Sequence, residues 1–147
     1  MIDLQMKLVV LLSVMVAKAS ASTHFGYCFE LLCFNHVDLI KKALGILGVS
    51  SLEYPFYEEV EQGKAQIDLV IRRKDNFVNL CEAKWRGEEY AMDKAEHLKL
   101  ERRKTVLSAF LKKRESLQCV LLTTFGLKHG EYYGDFQNVI TLEQLFG

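Results

Sequence analysis

The sequence predicts an α/β domain in which helices cover a central mixed β-sheet. The expected order is helix, three strands, helix, strand and a short closing helix. Three observations carry this. Tyr27 to Leu44 repeats apolar residues at helical spacing, and two β-rich runs stand only four polar residues apart. A charged amphipathic segment is then followed by an uninterrupted apolar run, the pattern of a helix laid over a sheet before a buried strand.

In the first helix, Phe29, Cys33, Val37, Ile40 and Leu44 fall on one face, Lys41 and Lys42 lie near its end, and Gly45 is placed to terminate it. Leu52 to Glu61 is aromatic and mixed, and contains the single proline, Pro55. An irregular strand is expected there. Ala65 to Arg72 and Phe77 to Trp85, joined by Arg73-Lys74-Asp75-Asn76, read as a hairpin. Met92 to Glu115 should form a long helix with an apolar stripe at Val106, Leu107, Phe110 and Leu111. Cys119 to Phe125 is the apolar strand, and Thr141-Leu-Glu-Gln144 has capping-box spacing for a terminal helix.

At 147 residues and 50% hydrophobic content, the chain can bury one adequate core. Nineteen basic residues balance nineteen acidic ones, which excludes a globally basic nucleic-acid binder but not a local basic face. Arg102-Arg103-Lys104 and Lys112-Lys113-Arg114 are the candidates for such a face, contacting phosphates; the plainer reading is a solvated helix surface. Cys28, Cys33, Cys81 and Cys119 form no CxxC pair, and the four histidines are scattered. That spacing argues against structural zinc and a disulfide framework, and for thiols in a reducing, cytoplasmic setting. Residues 1–24 stand apart from the 25–147 domain. Leu8 to Ala17 is an apolar run followed by Ala19-Ser20-Ala21, a pattern that would make the protein secreted if it is a signal peptide. The run is too short to span a bilayer, which takes about 20 residues, so no membrane is expected.

The hairpin carries the chemistry. With a three-residue loop, paired residue numbers sum to 150, so Asp68 faces Glu82 with Cβ atoms about 5 Å apart. Gln66 and Val70 are expected on the face of Asp68. Glu82 and Lys84 share one face of their strand, and Cys81, Ala83 and Trp85 the other. Two opposed carboxylates repel unless a cation lies between them, and Mg2+ (or Mn2+) suits oxygen ligands with water positions to spare. Lys84 lies about 6.6 Å further along the strand, within reach of a metal-bound water or a phosphate oxygen. These residue types suit phosphodiester hydrolysis. A surface ion network among Asp68, Glu82 and Lys84 is the competing explanation.

Gln66-Ile-Asp68-Leu followed by Asn79-Leu-Cys-Glu82-Ala-Lys84 resembles the PD-(D/E)XK nuclease-like domain at the C-terminus of certain prokaryotic AAA-family ATPases. Gly26-Tyr-Cys-Phe-Glu30 and Ile40 to Ile46 look like that domain's opening helix. Leu122 to Leu127 and Val139 to Phe146 are similar to its later strand and tail, so the resemblance runs from Phe25 to Phe146 in the family's order. It implies a restriction-endonuclease-like fold with an α-β-β-β-α-β core. It further implies Asp68 and Glu82 as metal ligands, Glu30 joining them, Lys84 as the catalytic lysine, and Gln66 near substrate or the metal's water. Ile67 stands where a proline is commonly written. No G-x-x-x-x-G-K-[ST] motif occurs, so the family's ATPase portion is missing.

Two functions follow as expectations. One is a Mg2+-dependent nuclease acting on nucleic acid, DNA in the first instance. The other is a catalytically inactive module of the same fold that binds nucleic acid or an ATPase partner. Trp85, Tyr54, Phe56 and Tyr57 could line an interface in the second case, although core packing suits most of them better.

Overall fold

The computed structural model describes residues 23–61 and 63–147. The apolar run and the cleavage-like pattern, residues 8–21, lie outside the described residues. Among the described residues no helix is long and apolar enough to cross a membrane.

The chain folds as an α/β domain with a five-stranded mixed sheet flanked by helices. Helices α1 (Thr23–Asn35) and α2 (Val37–Ala43) precede strands β1 (Ser51–Val60), β2 (Gly63–Arg73) and β3 (Phe77–Lys84). Helix α3 (Lys94–Ser108), strand β4 (Ser116–Thr123), a 3-10 turn (Tyr133–Asp135), strand β5 (Asn138–Thr141) and helix α4 (Leu142–Phe146) complete it. The strands lie in the order β1-β2-β3-β4-β5. The β1–β2 and β2–β3 pairs are antiparallel. Strands β3, β4 and β5 run parallel, so α3 is the crossover that a parallel pair requires.

Each face of the sheet buries its own cluster. Phe29 and Cys33 of α1, Ile40 of α2 and Leu142, Leu145 and Phe146 of α4 pack with Leu69, Ile71, Cys81, Ala83, Trp85, Val120 and Leu122. On the other face Leu100 and Leu107 of α3 pack with Ile67, Val70, Val78, Leu80, Cys119 and Leu121. Strand β3 is covered on both faces, buried from Val78 to Ala83. A single carboxylate in that run, Glu82, is therefore costly to desolvate unless something pairs it.

Several elements differ from expectation. The opening helix breaks at His36, whose Nδ1 lies 2.9 Å from the Leu32 carbonyl oxygen and whose ring packs edge-on against Phe146 at 5.4 Å. The break bends α2 beneath the terminal helix. Gly45 does follow the helical segment with φ +74°, a conformation that glycine adopts without a Cβ penalty. Helix α3 stops at Ser108, seven residues short of Glu115. Arg72 donates to the Phe110 carbonyl at 2.9 Å and to the Glu115 carboxylate at 3.0 and 2.6 Å, which ties the following turn to β2. Phe110 accordingly leaves the expected stripe, stands half exposed and meets Phe56 edge-on at 5.4 Å. Leu100, outside that stripe, is buried in its stead. Strand β5 was not anticipated: four residues ahead of a cap are too few to show an alternation. The capping box itself forms, with Thr141 Oγ1 accepting the Gln144 N–H at 3.2 Å and Gln144 Oε1 accepting the Thr141 N–H at 2.9 Å.

Candidate functional site

The hairpin register is the expected one: Leu69↔Cys81, Val70↔Leu80 and Ile71↔Asn79 each sum to 150. Continued by one residue, it sets Asp68 opposite Glu82. The ladder, however, ends at Leu69↔Cys81, and Asp68 Oδ2 accepts the Ala83 N–H at 2.9 Å. The carboxylate itself bridges the strands where their backbones part.

A bulge creates this placement. Across β1–β2, Tyr54 pairs with Val70 and Phe56 with Ile67, so Pro55 alone faces both Asp68 and Leu69. Pro55 has no N–H to offer a ladder, and a bulge re-aims the side chain beside it. Ile67 and Val70 consequently reach the same cluster under α3. In an unbroken strand, residues three apart would face opposite ways. The expectation that Gln66, Asp68 and Val70 share one face is corrected for this reason. Gln66 and Asp68 instead line a recess of about 230 Å3 on the α1 side, together with Glu30, Phe34, Phe56 and Ile67.

Glu82 and Lys84 point toward α3, as their alternation with Cys81, Ala83 and Trp85 predicts. Glu82 is 3% exposed, and its Oε1 lies 3.1 Å from Arg103 Nη1. That contact is an ion pair without hydrogen-bond alignment, for Oε1 has no hydrogen-bond partner. Lys84 Nζ lies 3.6 Å from Glu96 Oε2. Asp93 caps α3 by accepting the Glu96 N–H at 2.8 Å, which fixes the helix start from which both Glu96 and Arg103 project.

Electrostatics link the two sides. Burial pushes the Glu82 carboxyl up to about 7; Arg103 pulls it back down, while Asp68 adds to the rise. Asp68 is raised by burial and held back by the Ala83 N–H, Lys84 and Arg103. Glu30 is raised by burial and then by Asp68. Glu30, Gln66 and Asp68 thus meet at the recess, Glu82 and Lys84 lie under α3, and Asp68 couples them from the seam between β2 and β3.

The carboxylate oxygens and the orphaned, buried Glu82 Oε1 form a donor set of the type a hard divalent cation takes. They are not gathered into one tight shell. Among the described residues, the group of three whose ligand atoms lie within 4.8 Å of one another is His97, Glu101 and Asp135. Internal pairing accounts for that group: His97 Nδ1 lies 2.6 Å from Asp135 Oδ2, and Lys104 lies 2.9 Å from Glu101.

Sequence reasoning missed Tyr90 and Glu96, and placed Arg103 only in a basic run. Glu96 and Arg103 flank Leu100 at intervals of four and three, which sets all three on one helix face; that spacing was the available signal. Within the Arg102-Arg103-Lys104 run, Arg103 turns inward to Glu82 instead of joining a solvated helix face, and Lys104 pairs with Glu101 at the surface. Lys112, Lys113 and Arg114 are exposed, but lie beyond the end of α3 in the turn. Trp85 belongs to the core, 5.7 Å from Phe29; Tyr54 and Phe56 pack against the core, and Tyr57 is exposed. Cys33, Cys81 and Cys119 are buried free thiols.

No family model and no curated protein matches the chain. Among solved structures, the chain is similar to a crystal structure of a protein of unknown function, AF1548, at 14% sequence identity and a TM-score of 0.47. The match covers 73% of this chain and 61% of that one, so the chain spans about three fifths of that protein's length.

Proposed function

We propose that the domain is a restriction-endonuclease-like, PD-(D/E)XK module that hydrolyses phosphodiester bonds in nucleic acid, DNA in the first instance, with Mg2+ or Mn2+. The observation that carries this reading is the Asp68 carboxylate bonded to the Ala83 N–H at 2.9 Å, between Glu82 and Lys84 of the same strand. Glu30 adds a third acid on α1, facing the recess that Asp68 and Gln66 share.

Asp68 and Glu82 would hold the cation, with Glu30 completing the acidic set. When bound, a divalent ion supplies Lewis-acid polarisation of the phosphoryl group and a lowered pKa for water. Asp68 is held in orientation by its backbone bond. Lys84 offers an ammonium two residues from Glu82, suited to orient the attacking water and to offset charge on the phosphate. Gln66, exposed at the mouth of the recess, is suited to hydrogen-bond substrate. Glu82→Ala and Lys84→Ala should each abolish Mg2+- or Mn2+-dependent cleavage of labelled single- and double-stranded DNA while keeping the native circular dichroism spectrum. Undiminished cleavage in either variant overturns the assignment.

A second reading is a non-catalytic module that binds nucleic acid or an ATPase partner. The ion pairs Glu82–Arg103 and Lys84–Glu96 favour it, because they neutralise the two reactive side chains internally. Absence of cation binding together with saturable binding of DNA or of an ATPase would select this reading.

A further inference from the structure

Between β3 and α3 lies a void of about 10 Å3 walled by Glu82, Lys84, Tyr90, Glu96, Leu100 and Arg103, at the lower limit for one water. Two buried polar atoms face it without a hydrogen-bond partner, Glu82 Oε1 and the Tyr90 hydroxyl oxygen. Each residue is only 3% exposed. Polar atoms at such depth without a protein partner are rare in folded proteins, and an ion or a water is the kind of group that would satisfy them.

Arg103 stands at this void in an unusual role. Its Nη1 is 3.1 Å from Glu82 Oε1, so it supplies charge, yet the oxygen's hydrogen-bonding capacity is left unused. Its side chain is 22% exposed and has a long flexible stem, so the head can withdraw toward solvent. A Mg2+ ion binds carboxylate oxygen at about 2.1 Å. An ion on Oε1 and a guanidinium nitrogen 3.1 Å from the same oxygen would stand at most about 5.2 Å apart. At that spacing the like charges repel across a poorly screened interior, and a void of about 10 Å3 cannot take the ion and its waters with the guanidinium in place.

We propose that Arg103 is a removable counter-ion: the guanidinium and a divalent cation are alternative partners of Glu82, and uptake of the cation requires Arg103 to leave. This rests on the metal-dependent reading given above. Glu96 does the equivalent for Lys84, so one face of α3 carries the complement of the Glu-x-Lys pair and keeps the site neutral until the ion arrives.

The test is Mn2+ titration of the full chain by calorimetry at pH 8.5, where protons compete little. Wild type is compared with Arg103→Gln, Arg103→Met and Glu82→Gln. Both Arg103 variants should bind Mn2+ about tenfold more tightly than wild type, or bind it where wild type does not, and Glu82→Gln should remove the site in either background. Equal or weaker binding in the Arg103 variants overturns the inference and leaves the metal reading standing. Binding that survives Glu82→Gln overturns both, and its loss in His97→Ala would assign the ion to the His97 group. No binding in any of the proteins overturns the metal reading and the inference with it. In the wild-type chain, the Arg103 Nε–H resonance should shift on addition of Mg2+. A resonance that stays in place at saturating Mg2+ overturns the inference even if neither Arg103 variant folds.

Discussion

The Asp68 carboxylate accepts the Ala83 N–H at 2.9 Å, one residue past the point where the backbone ladder between β2 and β3 ends. The candidate metal ligand is thus also a joint of the sheet. Removing it leaves a backbone donor without its acceptor in a mostly buried place. Asp68→Ala should therefore cost about 1–2 kcal/mol in urea denaturation. Asp68→Asn keeps an oxygen for the same bond and should stay within about 0.5 kcal/mol of wild type, while losing cation binding. Equal losses in the two variants would show that charge, and not the bond, sets the contribution.

Glu82 makes stability fall with rising pH. Its folded value of about 7 lies above its ordinary 4.5, chiefly through burial. The native state therefore holds a proton that the unfolded chain releases between those values. The contribution is most favourable below pH 4.5 and is lost as pH rises through 7, on the order of 3 kcal/mol in all. Glu82→Gln should flatten this slope and raise the melting temperature at pH 8. A melting temperature at pH 8 below that of wild type would show that the Arg103 pairing outweighs desolvation.

Glu115 acts in the opposite sense. Hydrogen bonds from Arg72 hold its carboxyl down to about 2, below the ordinary 4.5, so its contribution is full above pH 4.5 and is lost as pH falls toward 2. Glu115→Gln should cost about 2 kcal/mol at neutral pH, since it weakens two charge-assisted bonds to Arg72. These two windows meet near pH 4.5, and a stability profile taken from pH 2 to 9 should peak in that neighbourhood. A profile flat across both windows would contradict the two assignments.

Thr141→Ala removes the cap of α4, whose Leu142, Leu145 and Phe146 are buried under the sheet. A loss of about 1 kcal/mol is expected, readable as a lowered melting temperature. Gln144→Ala should produce a smaller loss of the same sign, because it deletes the other half of the reciprocal pair.

Turn length and side-chain alternation were enough to set the β2–β3 register as far as Leu69↔Cys81 and to send Glu82 and Lys84 to one face, because a hairpin's register is a local property. The bulge at Asp68–Leu69 was not legible from β2 alone. It arises from a third strand, through Pro55, and contacts with a distant segment do not appear in a strand's own pattern. The same limit hid the Arg72–Glu115 link, 43 residues apart, which cuts α3 short and displaces Phe110. Arg103 read as one member of a basic run; only the crossover of α3 above β3 turns it toward an acid 21 residues earlier.

The slip at Asp68 divides β2 into two half-strands, each with its own alternation, and leaves the acid belonging to neither. Its side chain can accordingly be exchanged without altering which residues face which helix. Loss of one backbone residue at that point would close the bulge: Ile67 and Val70 would stand two apart and keep their common face in a regular strand. The extra residue therefore serves the aim of the acid and not the packing of either half-strand, and a deletion there should leave the sheet standing while removing the carboxylate from the Ala83 N–H.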